Sequence, residues 1–169
     1  MPALSHLHMD PDHPVPGVGD GLLLTGLPPA AVDELVRVAG PGSGSPLLSV
    51  EVRQLGGELS RPRPEHGALA CVDAGYALYA VGIAATSHQR VSVAAHIETL
   101  KQALAPWTAG RAYLNFAERR RNPGALWTEQ AHHRLRRIKT GVDPMNVIRS
   151  NHPIHGAASA ARTGSDTNP

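Results

Sequence analysis

The sequence contains a single cysteine, Cys71, among 169 residues. One cysteine cannot form a disulfide within the chain, which is typical of proteins from a reducing compartment. Because Cys71 lies inside an apolar run, we interpret it as a small buried hydrophobic residue and not as a nucleophile.

Long hydrophobic runs are also missing. No apolar run reaches the ~20 residues that a membrane-spanning helix needs, and the residues after Met1 lack the charged and then apolar segments of a secretory signal. Hydrophobic residues make up 41% and charged residues 18% of the chain, as is ordinary for a soluble globular domain. We therefore expect a cytoplasmic protein with no membrane partner.

Charge is scarce overall but unevenly placed. The formal net charge is +2, yet the window from Arg111 to Lys139 holds eight basic and two acidic residues, a formal charge of +6. Such a patch attracts phosphates or nucleic acid. No aromatic platform or helix-turn-helix pattern accompanies it. We interpret it as a solvated helix face with a loop, and predict no nucleic-acid partner.

Motifs for nucleotides and metals are absent or weak. The sequence has no G-x-G-x-x-G or P-loop motif to bind a diphosphate. An N-terminal group of imidazole and carboxylate side chains has the ligand types that suit zinc. Its members are His6, His8, Asp10, Asp12 and His13. Prolines stiffen this segment and no distant third-ligand motif follows, so we predict no metal site.

The first half of the chain predicts an arm, a helix and a strand. Residues 1–27 are rich in proline and glycine, which indicates an extended, irregular arm. A short helix follows from Pro28-Pro29 and stops at Gly40. Residues 48–52 alternate apolar and polar side chains, the pattern of a half-buried strand.

The second half predicts more strands and two longer helices. Residues 68–84 are almost wholly apolar and indicate one or two strands. Ser87 is predicted to cap the longest helix, in which apolar residues recur at steps of three and four. Arg111–Phe116 indicates a brief strand, and Thr128 caps a last helix that ends at Gly141.

These elements predict an α+β domain in which helices cover one face of an antiparallel sheet. A sheet of three or four strands has bare edges unless another segment pairs with them, so we predict an incomplete part of a larger fold. The predicted parts are an arm (1–27), a portion with the first helix, strands and long helix (28–110), a C-terminal segment (111–154) and a disordered tail (155–169).

The C-terminal segment contains four short runs in order: Tyr113–Phe116, Arg134–Lys139, Asp143–Asn146 and Asn151–Ile154. They have the patterns Y-x-N-F, R-L-x-x-I-K, D-P-x-N and N-x-x-I. In this they resemble the closing part of FAD-linked oxidoreductases of the berberine-bridge-enzyme type, where a Y-x-N-[FY] strand is followed by the same three runs. Likenesses at Leu48–Gly57 and Asp73–Tyr79 extend the resemblance over about residues 4 to 154.

The resemblance implies the substrate-side portion of a larger flavoprotein that oxidises alcohol groups, with hydride passing to the flavin. Family members are far longer, and their FAD-holding N-terminal domain has no counterpart in this sequence. We therefore expect FAD to bind only together with an FAD-binding domain, supplied in cis or in trans, and the isolated chain to be inactive. The implied substrate is a small-molecule alcohol or a sugar-like compound.

The resemblance also implies site residues. Tyr113 would face the space between substrate and flavin, as the catalytic base and a cofactor contact. A phenol has a pKa near ~10, so a neighbouring donor or cation would have to lower that pKa. Asn115 would hydrogen-bond the flavin or orient Tyr113. Without the resemblance, these two residues fit a half-buried tyrosine and a strand-end amide.

Tyr76 and Tyr79 are second-rank candidates for substrate contacts. A spacing of three residues places them on opposite faces of a strand, so at most one should point at a ligand. For both, packing in the core is the simpler interpretation.

A second hypothesis of a different class stays open. The chain would then be a non-catalytic interaction module, using an exposed sheet edge and the basic face of residues 111–139 to bind another protein. Nucleic-acid binding would in addition require a steep dependence on salt.

Overall fold

The computed structural model describes residues 13–156. One antiparallel sheet has the strand order β1-β3-β2. Its strands are β1 (Gly17–Leu24), β2 (Ser49–Gln54) and β3 (Tyr76–Ile83). The helices are α1 (Pro29–Ala39), α2 (Ser87–Ala103) and α3 (Glu129–Val142). The predicted α+β class with an antiparallel sheet is therefore confirmed.

The hydrophobic core lies between one face of the sheet and the helices α1 and α2. Alternate residues of each strand face this core, and the apolar stripe of α2 packs against them. The largest fully buried side chains are Leu24, Leu78, Val93, Ile97, Leu100 and Leu104. The prediction that helices cover one face of the sheet thus holds for α1 and α2. α3 packs elsewhere, against residues 117–127 and Ile154.

The cap of α2 differs by one residue from the prediction. Thr86, and not Ser87, is the N-cap: its hydroxyl accepts a hydrogen bond from the Gln89 N–H (3.2 Å), and the Gln89 side chain accepts one from the Thr86 N–H (3.0 Å). This reciprocal capping box satisfies two N–H groups that the helix leaves unpaired. α1 begins at Pro29 and α3 is capped by Thr128, as predicted.

The predicted irregular arm was wrong for residues 17–24, which form β1. Glycine and proline suggested an extended, irregular arm, but Gly21 allows β1 to pack closely against its neighbours. A Cβ there would lie 2.6 Å from the Phe116 Cβ and 2.7 Å from the Leu78 carbonyl oxygen. The remaining part of the arm, residues 1–12, lies outside the described residues and includes four of the five side chains considered as metal ligands.

The predicted strand at Arg111–Phe116 was also wrong. Leu114–Phe116 forms a 3₁₀ turn, in which the Phe116 N–H donates to the Tyr113 carbonyl (3.0 Å). The Ala112 N–H donates to the Ala125 carbonyl (2.7 Å), so this backbone finds its partners in loops and not in the sheet. Likewise the apolar run 68–84 contributes one strand that begins only at Tyr76. Most of the predicted disordered tail (157–169) lies outside the described residues.

The two edges of the sheet differ. The outer side of β1 is covered: the Gly19 N–H donates to the Glu118 carboxylate (2.9 Å), and the Leu23 carbonyl accepts from the Ala109 N–H (2.9 Å). β2 forms the other edge, and between residues 13 and 156 no backbone hydrogen bond joins its outer side to another segment. Within the same residues, no helix is both long and apolar enough to cross a bilayer.

The close approach of Phe116 to β1 gives a test of this packing. We expect Gly21→Ala to lower the free energy of unfolding by about 1–3 kcal/mol, because the added Cβ displaces Phe116 or the β3 backbone. Gly26→Ala is the matched control, since a Cβ at Gly26 has no atom within 4 Å. Urea unfolding checks both variants. Equal stability of the two would contradict the described contact.

Candidate functional site

The sheet face turned away from α1 and α2, called here the open face, is partly covered by residues 113–118. Phe116 lies at its centre. The Phe116 ring centroid is 5.1 Å from that of Tyr79 and 5.3 Å from that of Tyr113, and the Arg53 guanidinium carbon lies 5.2 Å from it. Aromatic pairs and an arginine over a ring at these distances attract one another. These contacts therefore hold residues 113–116 against the open face. This segment carries Tyr113 and Asn115, the main candidates for the site.

Tyr113 and Asn115 come together as one polar pair. The Asn115 side-chain amide donates a hydrogen bond to the Tyr113 hydroxyl (3.1 Å). Asn115 is exposed and Tyr113 half-buried. We predicted that Asn115 could orient Tyr113 as the next residue but one along a strand. The contact exists, but the 3₁₀ turn and not a strand produces it.

Tyr113 also lines a cavity of about 230 Å³. Cys71, Asp73 and Arg111 are among the other lining residues. Cys71 is half-buried and contacts this cavity, so our interpretation of it as a buried core residue was wrong. The segment before β3 is irregular and, apart from the buried Val72, leaves its side chains half-buried or exposed, which an apolar sequence run did not reveal.

Tyr79 is the tyrosine of β3 that points to the open face. Its hydroxyl donates a hydrogen bond to the Glu118 carboxylate, whose second oxygen accepts from the Gly19 N–H. Burial raises the pKa of the Tyr79 phenol above its usual value, and the hydrogen bond and charge of Glu118 act in the same direction. Tyr79 is therefore a neutral donor. Tyr76 packs against the core on the opposite face, as its spacing of three residues predicted.

A buried ion-pair network lies on the other side of β1. Asp20 is fully buried and binds Lys101 of α2 (3.0 Å) and Arg121. Glu98 accepts from Lys101 (3.2 Å) and from Arg119 (3.1 Å). Residues 118–121 thus wrap around the edge of β1, from Glu118 on the open face to Arg121 on the core face.

This network corrects our interpretation of the basic window as fully solvated. Arg119 and Arg121 pair with acidic residues that are distant in sequence, and Lys139 pairs with Asp143. Counting the charges within residues 111–139 leaves out acidic partners that lie outside this window. The count therefore overestimated the positive charge that is not paired.

Hydrogen bonds to the side chain of Asp143 hold together the loop that follows α3. The Asp143 carboxylate accepts hydrogen bonds from the Val147 N–H (2.8 Å) and the Ile148 N–H (3.0 Å). The hydrogen bond from Lys139 lowers the pKa of Asp143, the two N–H groups lower it further, and burial opposes them. A negative Asp143 therefore holds the D-P-x-N run in one shape.

The C-terminal run also supports the segment on the open face. His152 forms a hydrogen bond through Nε2 with the Ala117 carbonyl (2.7 Å). Ala117 directly follows the turn that carries Tyr113 and Asn115. The final N-x-x-I run therefore helps to position the polar pair.

The residues around Tyr113 do not fit a complete FAD molecule. Ligand sites for molecules of drug size hold ~300–1,000 Å³ and enclose most of the ligand, whereas the cavity beside Tyr113 holds about 230 Å³. Between residues 13 and 156, no glycine-rich loop leads into a helix N-terminus to bind a diphosphate. The Tyr113–Asn115 pair offers polar groups to one edge of a ligand only.

Comparison with known proteins bears on this segment directly. A family described as "Berberine and berberine like" matches residues 112–155. The chain therefore ends in a berberine-type segment. No curated protein sequence matches the chain. The resemblance stated from the Y-x-N, R-L-x-x-I-K and D-P-x-N runs is confirmed.

Solved structures share the fold well beyond that segment. Wild-type BBE-like 1 from Physcomitrella patens has a TM-score of 0.71 and 18% identity, covering 89% of this chain and 32% of that one. Xylooligosaccharide oxidase from Myceliophthora thermophila C1, in complex with xylobiose, has a TM-score of 0.59 and 19% identity, covering 87% of this chain and 34% of that one. The chain thus spans about a third of the length of these relatives.

Sequence reasoning missed the acidic residues that organise this site. Asp20 had a visible signal, since the alternation Gly19-Asp20-Gly21 puts one carboxylate on the face opposite two glycines. Glu118 had none, because its partners Gly19 and Tyr79 are 99 and 39 residues away in sequence.

The raised pKa of Tyr79 predicts how stability depends on pH. Because the folded pKa lies above the unfolded value, the contribution of Tyr79 is fully present below about pH 10 and is lost as pH rises above it. We expect the free energy of unfolding, measured with urea from about pH 8 to about pH 11, to fall less steeply in Tyr79→Phe than in the wild type. A parallel fall in the two proteins would contradict the raised pKa of Tyr79.

Proposed function

We propose that this chain is the substrate-side portion of an FAD-dependent oxidoreductase acting on alcohol groups, and that it is active only with an FAD-binding domain. The observation that carries the proposal is the extent of the fold match: it covers 89% of this chain but only 32% of the moss protein. The berberine-type segment at residues 112–155 supports the same conclusion.

The misfit with FAD supports the dependence on a second domain. The polar pair of Tyr113 and Asn115 can hydrogen-bond one edge of a ligand, but the described residues surround neither a ring system nor a diphosphate. The redox chemistry belongs to the flavin, which the second domain would hold. The residues of this chain would orient the substrate and exchange a proton with it.

Within that site we assign the residues different tasks. Tyr113 is the candidate base, because Asn115 donates a hydrogen bond that orients its hydroxyl and because Tyr113 lines the cavity. Tyr79 is not a base, since burial and Glu118 keep it protonated, and its one proton is donated to Glu118. It serves as a wall of the substrate site. A sugar-like alcohol is the proposed substrate class, in line with the xylobiose complex of the fungal relative.

The alternative of a non-catalytic interaction module rests on less. The ion pairs of Arg119 and Arg121 reduce the free positive charge of the basic face on which this alternative depends. Its main remaining support is the uncovered edge of β2. Neither feature accounts for the polar pair or for the berberine-type segment.

The proposal predicts that the isolated chain does not retain FAD. Purified without a partner and incubated with excess FAD, it should be colourless after dialysis, with no absorbance near the flavin band and no quenching of flavin fluorescence. A flavoprotein dialysed in parallel is the control. A chain that stays yellow would show that it holds the cofactor alone, and the requirement for a second domain would be wrong.

A further inference from the structure

A cavity of about 430 Å³ is lined by three basic side chains from separate parts of the chain. These are Arg120, Lys139 of α3 and Arg149. No acidic residue lines this cavity in the part of the chain that the structure describes, and it shares no lining residue with the cavity beside Tyr113. Sites for small molecules hold ~300–1,000 Å³. The cavity therefore has the size of a small-molecule site and a positive lining.

Arg120 has no partner although both of its neighbours do. Arg119 binds Glu98 (3.1 Å) and Arg121 binds the buried Asp20, so the chain is anchored on each side of Arg120. The Arg120 side chain is exposed, and it forms no hydrogen bond or ion pair with any residue between positions 13 and 156. Its position is thus set by the neighbouring ion pairs, while its own charge stays available to a ligand.

The charges of the other two basic residues differ in how far they are balanced. Within the described residues, the exposed side chain of Arg149 likewise has no hydrogen bond and no ion pair. Lys139 is only 15% exposed, and its ammonium binds the Asp143 carboxylate and the Ile148 carbonyl (2.6 Å). Asp143 therefore offsets the charge of Lys139, whereas the charges of Arg120 and Arg149 stay unbalanced.

Hydrogen bonds hold two walls of the cavity in place. The Ile148 N–H donates to the Asp143 carboxylate (3.0 Å), which fixes the wall that follows α3. Further along the chain, Arg136 of α3 donates through Nε to the His155 carbonyl (3.1 Å). Because these walls are ordered before a ligand arrives, binding costs less conformational entropy than it would in a loose loop.

We propose that this cavity binds a small organic phosphate, a phosphomonoester with an apolar body. A phosphomonoester carries a charge of about −2 near pH 7, which balances the two unpaired arginines. Guanidinium groups also match phosphate oxygens in pairs. A carboxylate would leave one arginine unbalanced.

The rest of the cavity lining accounts for the apolar body. Ile148, Pro153 and Ile154 line the cavity beside the basic residues, and inorganic phosphate alone would leave this apolar part of the lining without a contact. The site does not depend on the proposed function, because none of the residues assigned to substrate or flavin lines it.

Isothermal titration calorimetry of the purified chain with phenyl phosphate tests the site, at constant ionic strength because salt screens exposed charges. We expect saturable binding of one phenyl phosphate per chain. It should be tighter than the binding of inorganic phosphate, which lacks the apolar body, and of benzoate, which carries less charge. Arg120→Gln and Arg149→Gln should each weaken it about tenfold, since each removes hydrogen bonds to a charged group. Arg90→Gln is the matched control, because Arg90 is an exposed arginine of α2 outside the cavity.

Circular dichroism checks that all three variants stay folded. Absence of saturable phenyl phosphate binding, or equal weakening by Arg90→Gln, would overturn the site. Benzoate binding as tightly as phenyl phosphate would overturn the phosphate class. Sedimentation with vesicles of phosphatidylcholine and phosphatidic acid separates a free ligand from a lipid head group: we expect the chain to stay in solution. Sedimentation with the vesicles, lost in Arg120→Gln and Arg149→Gln but not in Arg90→Gln, would assign the two arginines to a membrane surface and overturn the small-molecule site.

Discussion

The buried carboxylate of Asp20 is the constraint on which the arrangement of this protein depends. It is fully buried in β1, where it binds Lys101 of the long helix and Arg121 of the segment that wraps around the strand. Removing one partner of a buried ion pair leaves the others charged and unpaired, which is strongly destabilising. Asp20 therefore ties three parts of the chain together: the edge of the sheet, the helical layer and the segment that reaches the open face.

The neighbours of Asp20 connect this anchor to the candidate site. Gly19 and Gly21 point to the opposite face, where the absence of side chains leaves room for the Tyr79–Glu118 contact and for Phe116. Phe116 and its aromatic neighbours then hold the turn that pairs Tyr113 with Asn115. The charge of Asp20 on one face of β1 and the two glycines on the other face thus position the Tyr113–Asn115 pair. That pair is far from β1 in sequence.

Elements governed by local periodicity could be predicted from the sequence. The stripe of α2, the alternation in β2, the start of α1 at Pro29 and the Thr128 cap of α3 depend on neighbours within a few residues, and they appear where expected. β1 was missed because Gly21 allows a close contact with Phe116, 95 residues away in sequence, and Gly19 allows one with Tyr79 and Glu118. Without knowledge of those contacts, glycine indicates irregular chain. The segment at 111–116 has a strand-like sequence but bonds to loops. The ion pairs of Arg119 and Arg121 join distant residues, so no local pattern could predict them.

Hydrogen–deuterium exchange tests most directly whether Asp20 holds the site segment in place. Asp20→Asn removes the charge and keeps the size of the side chain, and amide exchange of residues 112–121 is compared with that of α1, which does not contact Asp20. The account predicts faster exchange in 112–121, with α1 unchanged under conditions where both proteins stay folded. Unchanged exchange in 112–121, or an equal increase throughout the chain, would contradict it.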